Sequence, residues 1–460
     1  MTGGLERHAA TNLIASNPPF AGLSISSQRV TLGSNQMSLT RETTYHVARG
    51  AAAIDEHDAT GPPSSAEHSR FYSLDAVRSG MMLLGIFYHA SSLYYYIFGR
   101  GLVTKAFRDA QTSHALLYID RGLHIFRMPV FFVVAGFFGA LLYARRGSRG
   151  LIASRTRRVL VPLIVAWILL VPAISRGVLF AAAAGSPQPL APVFRLVASG
   201  QFYERSLFHL WFLYHLMILY TMALAAVWVS RQTGQRLRVK ARSLFRRIVQ
   251  SPWRPLLLAL PTVLILEAMP RGDITRDLAF TPDVRILFAY SLFFAFGWLL
   301  FASSDLLPGF ARNAPRNVAA AVLLFPVFLA VYGRGPQGSL AHFLTSSTDA
   351  LITWLCVFGL IGLAVQYLNR PHPTIRYVSD ASYWCYLVHY PIVIWLAGAL
   401  SVVQMAGVLK VLVNLLATSG ILLITYRFWV RPTFIGEWLN GRRVPAHPPI
   451  DPNWQPASQV

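Results

Sequence analysis

Apolar residues along this chain fall in long blocks separated by short charged segments, not in the alternating or one-faced patterns of soluble strands and helices. Ten blocks can be read, near residues 77–98, 123–143, 158–180, 207–229, 255–270, 285–303, 317–333, 349–368, 383–402 and 409–430. Most reach or approach the roughly 20 residues that an α-helix needs to cross a bilayer. The fifth is weakened by Pro261 and Glu267, and the seventh is short and carries Pro326. Backbone polar groups must be satisfied within a membrane, so the pattern predicts an all-α polytopic membrane protein with about ten transmembrane helices. The flanks set its limits. Residues 1–70 are rich in Ser, Thr, Ala, Gly and Asn with no apolar run, which predicts a disordered cytoplasmic tail. The transmembrane domain is expected over residues 71–431. Residues 432–460, polar and Pro-rich, are expected to form a loosely ordered second tail.

Composition agrees with this class. Of 460 residues, 54% are hydrophobic and only 13% charged, about half the charged fraction of a soluble protein, and the mean hydropathy is +0.45. The net charge of +22 raises the question of nucleic acid, but the basic residues gather in alternate loops. Arg145, Arg146, Arg149, Arg155, Arg157 and Arg158 follow the second block. Arg231, Arg236, Arg238, Lys240, Arg242, Arg246, Arg247 and Arg254 follow the fourth. The opposite loops hold only Arg195 and Arg205, Arg271 and Arg276, or Arg334. This asymmetry predicts that the basic loops are cytoplasmic and, with an even number of spans, that both termini are too. Topology and lipid headgroups account for it. No basic–aromatic interleaving points to nucleic acid. Cys356 and Cys385 lie in apolar blocks and read as packing residues. No Cys/His spacing predicts a metal site, and no resident cofactor is expected.

The candidate chemistry lies with ionisable residues inside the blocks, because a charge in the membrane costs several kcal/mol unless it faces a partner or a water-filled space. Asp75, Arg78 and His89 are spaced so that all three return to one helix face, with His89 about 16 Å beyond Arg78. Alone, Asp75 and Arg78 serve equally as an ion pair anchoring the helix start, and His89 as an interhelical hydrogen bond. Their alignment favours chemistry or transport. Arg155 and Arg158, with Pro162 one turn on, suit bidentate phosphate contacts, although positive-inside topology also accounts for them. His124 and Arg127, one turn apart, point with His209 to a polar space on the opposite side, snorkelling of Arg127 being the alternative. His389, before Tyr390 and Pro391, fits packing or cavity lining equally well. A basic mouth, a buried histidine and an opposite polar site suit an activated, phosphate-bearing donor such as an acyl-CoA and an acceptor hydroxyl, with imidazole as the base near neutral pH. A proton-coupled transporter using Arg78 and His89 is the rival of another class, without the inverted repeat or matching broken helices that transporters often show.

The same residues resemble the membrane-bound acyltransferase 3 family, over roughly residues 71–430. The family's arginine and histidine with ten residues between them fall on Arg78 and His89, preceded by the acidic Asp75. Its Arg-x-x-Arg pair ahead of a proline falls on Arg155, Arg158 and Pro162. Phe131-Phe-Val-Val-Ala-Gly-Phe137 is similar to the family's Phe-Phe-x-Ile-Ser-Gly-Phe, with Ala135 in place of the serine, so no hydroxyl is essential there. Tyr386-Leu-Val-His389-Tyr-Pro391 is also family-like. The segments around Leu74 to His89, His124-Ile-Phe-Arg-Met128 and His209-Leu-Trp-Phe-Leu213 point within the family to members that succinylate osmoregulated periplasmic glucans. The resemblance implies a bacterial inner-membrane O-acyltransferase. Its co-substrate would be an acyl-CoA, foremost succinyl-CoA, and its acceptor a glucan or other saccharide. Lipopolysaccharide and exopolysaccharide sugars are the alternative acceptors, and glucan synthesis or export proteins the implied partners. Carried over by position, Asp75, Arg78 and His89 become the catalytic group, with Arg155 and Arg158 as donor contacts. His124, Arg127, His209 and His389 are expected on the acceptor side.

Overall fold

The computed structural model describes residues 71–92, 113–184 and 206–440. The expected tail 1–70, residues 441–460, the end of the first block beyond residue 92, and Arg195 and Arg205 lie outside the described residues. All regular structure among the described residues is helical. In chain order the helices are α1 (Tyr72–Ser91), α2 (His114–Arg155), α3 (Val161–Ala184), α4 (Trp211–Gln232), α5 (Gln235–Gln250), α6 (Arg254–Glu267), α7 (Val284–Phe301), α8 (Ala314–Val331), α9 (Leu340–Tyr367), α10 (Pro373–Ser401), α11 (Gly407–Thr425) and α12 (Phe434–Asn440).

This is an all-α polytopic membrane protein. Each of the ten apolar blocks overlaps a helix. By length and composition, however, seven stretches of described residues can cross a membrane, or eight if the bent pair α5–α6 is one span. The longest, His114–Ala181, runs through 68 residues. Of the ten blocks, those outside the seven stretches fall on α6, with only 14 residues, and on α1, which carries Asp75, Arg78 and His89 among its apolar residues.

Three expectations are corrected. The basic segment after the second block is not a loop: α2 continues through it, broken at Gly147, and passes by a π-helical turn, Thr156–Leu160, into α3. Gly147 holds φ at +62°, a conformation that glycine adopts without the Cβ penalty. The basic segment after the fourth block is also a helix, α5, set at 116° to α6. Its apolar residues recur at helical spacing, and Phe245 and Val249 are buried while Leu237 and Leu244 stay exposed. The chain after Pro432 is not all loosely ordered, because α12 packs Ile435 and Leu439 against a core cluster.

Small residues decide how closely the helices approach. α2 packs along α7, and at their crossing a Cβ on Gly136 would run into the Phe294 carbonyl, and one on Gly297 into the Val133 carbonyl. The glycine of the Phe131–Phe137 motif is therefore a backbone-to-backbone contact of the kind small residues permit within membranes. α1 packs against α2 and α10. Near its start, Ser79 Oγ lies 2.9 Å from Ser379 Oγ, and both hydroxyls donate to the Asp75 carbonyl oxygen, at 2.7 and 3.3 Å. Outward positions such as Leu169, Leu264, Leu323 and Leu416 are exposed and apolar, as a lipid-facing surface requires.

Proline sets up two cross-helix bonds that fix the site. A helical proline has no N–H and frees the carbonyl four residues earlier. Pro129 frees the Ile125 carbonyl, which accepts from Thr353 Oγ1 of α9 at 3.1 Å. Pro391 frees the Leu387 carbonyl, which accepts from His209 Nε2 at 2.9 Å.

Candidate active site

The sequence-selected residues gather at two levels of the helix bundle. At the basic end, Asp75 is buried and its Oδ1 lies 3.1 Å from Arg78 Nη2. The Arg78 guanidinium stands 5.3 Å from the centre of the Phe138 ring. Arg155 turns inward, 4.5 Å over the Tyr220 ring, and its Nε is buried without a partner. Arg78 and Arg155 both act electrostatically on Tyr220. The Tyr220 hydroxyl donates to the Ala135 carbonyl at 3.3 Å, so the place where the family pattern has a serine is occupied through its backbone. Arg158 sits on the π-helical turn, and its carbonyl accepts from the Tyr383 hydroxyl at 2.6 Å. Arg155 thus ends α2 and Arg158 lies within the π-helical turn that follows it, and Arg155 shares Tyr220 with Arg78.

The second level lies about 16 Å further along α1, eleven residues at 1.5 Å each. His89 meets two histidines there. Its ring centre is 5.1 Å from that of His389 and 4.6 Å from that of Tyr390. His389 is in turn 5.1 Å from His209. His209 reaches this place through a strained entry to α4: Phe208, just before it, has φ of +44°, unusual for a bulky side chain.

Arg127 and His124 complete the same level from α2. Arg127 does not snorkel outward; its guanidinium lies 4.8 Å over the Tyr88 ring. His124 Nδ1 is 3.4 Å from the Tyr88 hydroxyl. Room for Arg127 comes from Gly85, where a Cβ would stand 2.9 Å from Arg127 Nη1. His89, His124 and Arg127 keep partial solvent exposure, whereas His209 and His389 are buried. The first three are thus the partly exposed members of the group, and the other two its buried members. The structure thus brings together His89, His124, Arg127, His209 and His389, and holds Asp75, Arg78, Arg155 and Arg158 apart at the other level.

Two participants were not selected from the sequence. Arg276, from the segment joining α6 and α7, donates to the Tyr88 hydroxyl at 3.0 Å. Tyr88 precedes His89 but points to the arginines. The joining segment is itself well tied. Leu207 N donates to the Leu278 carbonyl at 2.9 Å, and His342 Nε2 to the Met269 carbonyl at 2.9 Å. Tyr332 OH donates to Asp273 Oδ2 at 3.1 Å and accepts from Arg121 at 3.1 Å. Burial pushes the Asp273 carboxyl above the usual carboxylate range, against the pull of Arg121. The only sequence signal for Arg276 was its position among the charges of Arg271-Gly-Asp-Ile-Thr-Arg-Asp277.

Chemically, the histidine level offers imidazoles beside two guanidinium groups. Among the described residues no group of three His, Cys, Asp or Glu side chains is arranged to hold a metal ion. The basic level offers Arg155 and Arg158 beside the Arg78–Asp75 ion pair. The arrangement suits a proton acceptor above and an anion contact below.

Comparison of the sequence with known proteins places the chain in a family. The chain is 26% identical over 382 residues to Glucans biosynthesis protein C of Salmonella paratyphi B, a match covering 82% of this chain and 97% of that protein. The same values hold for the Glucans biosynthesis protein C of Salmonella dublin. No solved structure matches. The family pattern described as "Acyltransferase domain" matches residues 71–430, a span that holds every residue of both levels, and the chain belongs to this acyltransferase 3 family.

Proposed function

We propose that this protein is an inner-membrane O-acyltransferase that moves a succinyl group from cytoplasmic succinyl-CoA to hydroxyls of a periplasmic glucan. The observation that carries this reading is the two-level arrangement on α1, with arginines at one level and histidines about 16 Å away. That spacing suits an extended pantetheine arm whose phosphates rest at Arg155 and Arg158 while its thioester lies at His89. The similarity to Glucans biosynthesis protein C supports a glucan as acceptor. Positive-inside asymmetry supports a cytoplasmic basic end, and an even number of spans would put both termini there.

In this reading His89 is the general base. It takes the proton of the acceptor hydroxyl as the oxygen attacks the thioester carbonyl carbon. The carbon–sulfur bond then breaks with its electron pair on sulfur, and the thiolate recovers the proton from His89. Positioning of two bound substrates and base catalysis are the two main sources of acceleration. Arg127 and Arg276, gathered at Tyr88, are assigned the stabilisation of negative charge developing on the carbonyl oxygen. Arg78, held by Asp75, contacts the donor.

The test uses purified protein in liposomes, with acyl-CoA and a glucose oligomer on opposite sides. Wild type is expected to form an O-succinyl ester and free CoA in equal amounts, and His89→Ala to form neither above background. Equal turnover by His89→Ala refutes the mechanism. Transfer from other acyl-CoA donors in preference to succinyl-CoA refutes the donor assignment. Transfer only to lipopolysaccharide or exopolysaccharide sugars refutes the acceptor.

A further inference from the structure

Two of the three clustered histidines have no freedom of tautomer. His389 Nδ1 lies 2.8 Å from the Tyr386 carbonyl oxygen and 3.1 Å from that of Cys385. Carbonyl oxygens only accept, so Nδ1 carries the hydrogen and Nε2 presents a lone pair. His209 is the mirror case: Nε2–H donates to the Leu387 carbonyl that Pro391 leaves free, and Nδ1 presents the lone pair. Both lone-pair atoms are buried and unpartnered, on side chains only 2% and 3% exposed. A buried acceptor left in this way is unfavourable, and a donor is called for. His209 cannot serve His389, because its one ring hydrogen is committed to Leu387. His89 can. Its ring centre is 5.1 Å away, and unlike the other two it forms no hydrogen bond to a backbone carbonyl among the described residues.

We propose that His389 is a positioning residue for His89. Once the His89 ring turns toward it, the now unpartnered Nε2 accepts an N–H from His89 and so fixes which nitrogen of His89 keeps the lone pair that faces substrate. The chain of bonds runs from the Tyr386 carbonyl through His389 to His89. This rests on the reading of His89 as the base. Over one turnover the acceptor hydroxyl proton passes to the free nitrogen of His89 and then to the departing thiolate. His389 neither gains nor loses a proton and strengthens its hydrogen bond while His89 is cationic. A carboxylate in this place would orient His89 equally well but would compete for Arg127, which acts electrostatically on both imidazoles. A neutral imidazole orients without adding charge.

The test compares His389→Gln with His389→Asn, in liposomes, beside His89→Ala. A glutamine amide can set its oxygen where Nε2 lies and accept from His89, whereas an asparagine amide reaches only the place of Nδ1. His389→Asn is expected to lower kcat about 10- to 100-fold, the range seen for loss of an orienting partner, with KM for both substrates within about twofold. His389→Gln is expected to recover at least tenfold of that loss. Equal kcat for the two variants, or losses expressed in KM, overturns the proposal. His89→Ala separates the two claims: if it is inactive while His389→Asn turns over like wild type, only the relay fails, and if it is active, the reading beneath the relay fails as well.

Discussion

Gly85 offers a perturbation in which stability and activity are expected to move in opposite directions. It lies four residues before His89, on the same face of α1. A methyl group there would stand 2.9 Å from Arg127 Nη1. Carbon–nitrogen contact needs about 3.5 Å, so the guanidinium must retreat by about 0.6 Å. It is the far end of a long side chain, and the helices need not move. Alanine also favours the interior of a helix over glycine by about 0.5–1 kcal/mol. Gly85→Ala is therefore expected to leave the melting temperature unchanged or raise it. The guanidinium, now 4.8 Å over the Tyr88 ring, loses its seat. A misplacement of 1 Å near reacting groups costs up to about 100-fold, so a shift of this size is expected to lower kcat/KM about tenfold, or about 1.4 kcal/mol in the barrier. Gly85→Leu is expected to abolish transfer. The assay is acyl transfer in liposomes, with thermal unfolding of the same preparations. Gly85→Ala at wild-type kcat/KM, or an active Gly85→Leu, would refute the placement of Arg127 in the site.

Gly136→Val is expected to prevent accumulation of folded protein, because its side chain would occupy the Phe294 carbonyl on α7; a normal gel-filtration profile of the variant contradicts the crossing. Arg155→Gln is expected to raise KM for the acyl-CoA about tenfold with little change in kcat, measured by initial rates against donor concentration. A change confined to kcat would move Arg155 out of donor binding. Pro391→Ala returns an N–H to the Leu387 carbonyl, which then competes with His209. A fall in activity without a fall in melting temperature is expected, and full activity contradicts the tie. Asp273 gives a pH dependence. Its folded carboxyl titrates above the unfolded one, so its contribution is full below the ordinary carboxylate pKa and is lost as pH rises through the raised value. Relative to Asp273→Asn, the wild-type melting temperature is expected to fall over that window. A constant difference between the two proteins from pH 4 to pH 8 argues against it.

The helical, polytopic class was legible because apolar blocks near the bilayer length admit little else. The segments between them were harder to read. Charge made 145–158 and 231–254 look like loops, but charged residues also occupy the exposed face of a helix, and α5 buries Phe245 and Val249 behind its arginines. His89, Arg127 and His209 were found because ionisable residues are conspicuous in apolar blocks. Arg276 was not, because in a charged segment one arginine resembles the next, and only the fold turns it toward Tyr88. The tautomers of His209 and His389 were also out of reach of the sequence. They depend on which carbonyls lie within hydrogen-bond distance, and one of those is freed by a proline on another helix.

The central claim is that the His89 level performs acyl transfer to a saccharide. It is tested most directly by mass spectrometry of periplasmic glucans from a strain lacking this protein, complemented with wild type or with His89→Ala. The account predicts anionic succinyl substituents restored by wild type and absent with His89→Ala at equal protein levels. Glucans that carry the same substituents in all three strains would contradict it.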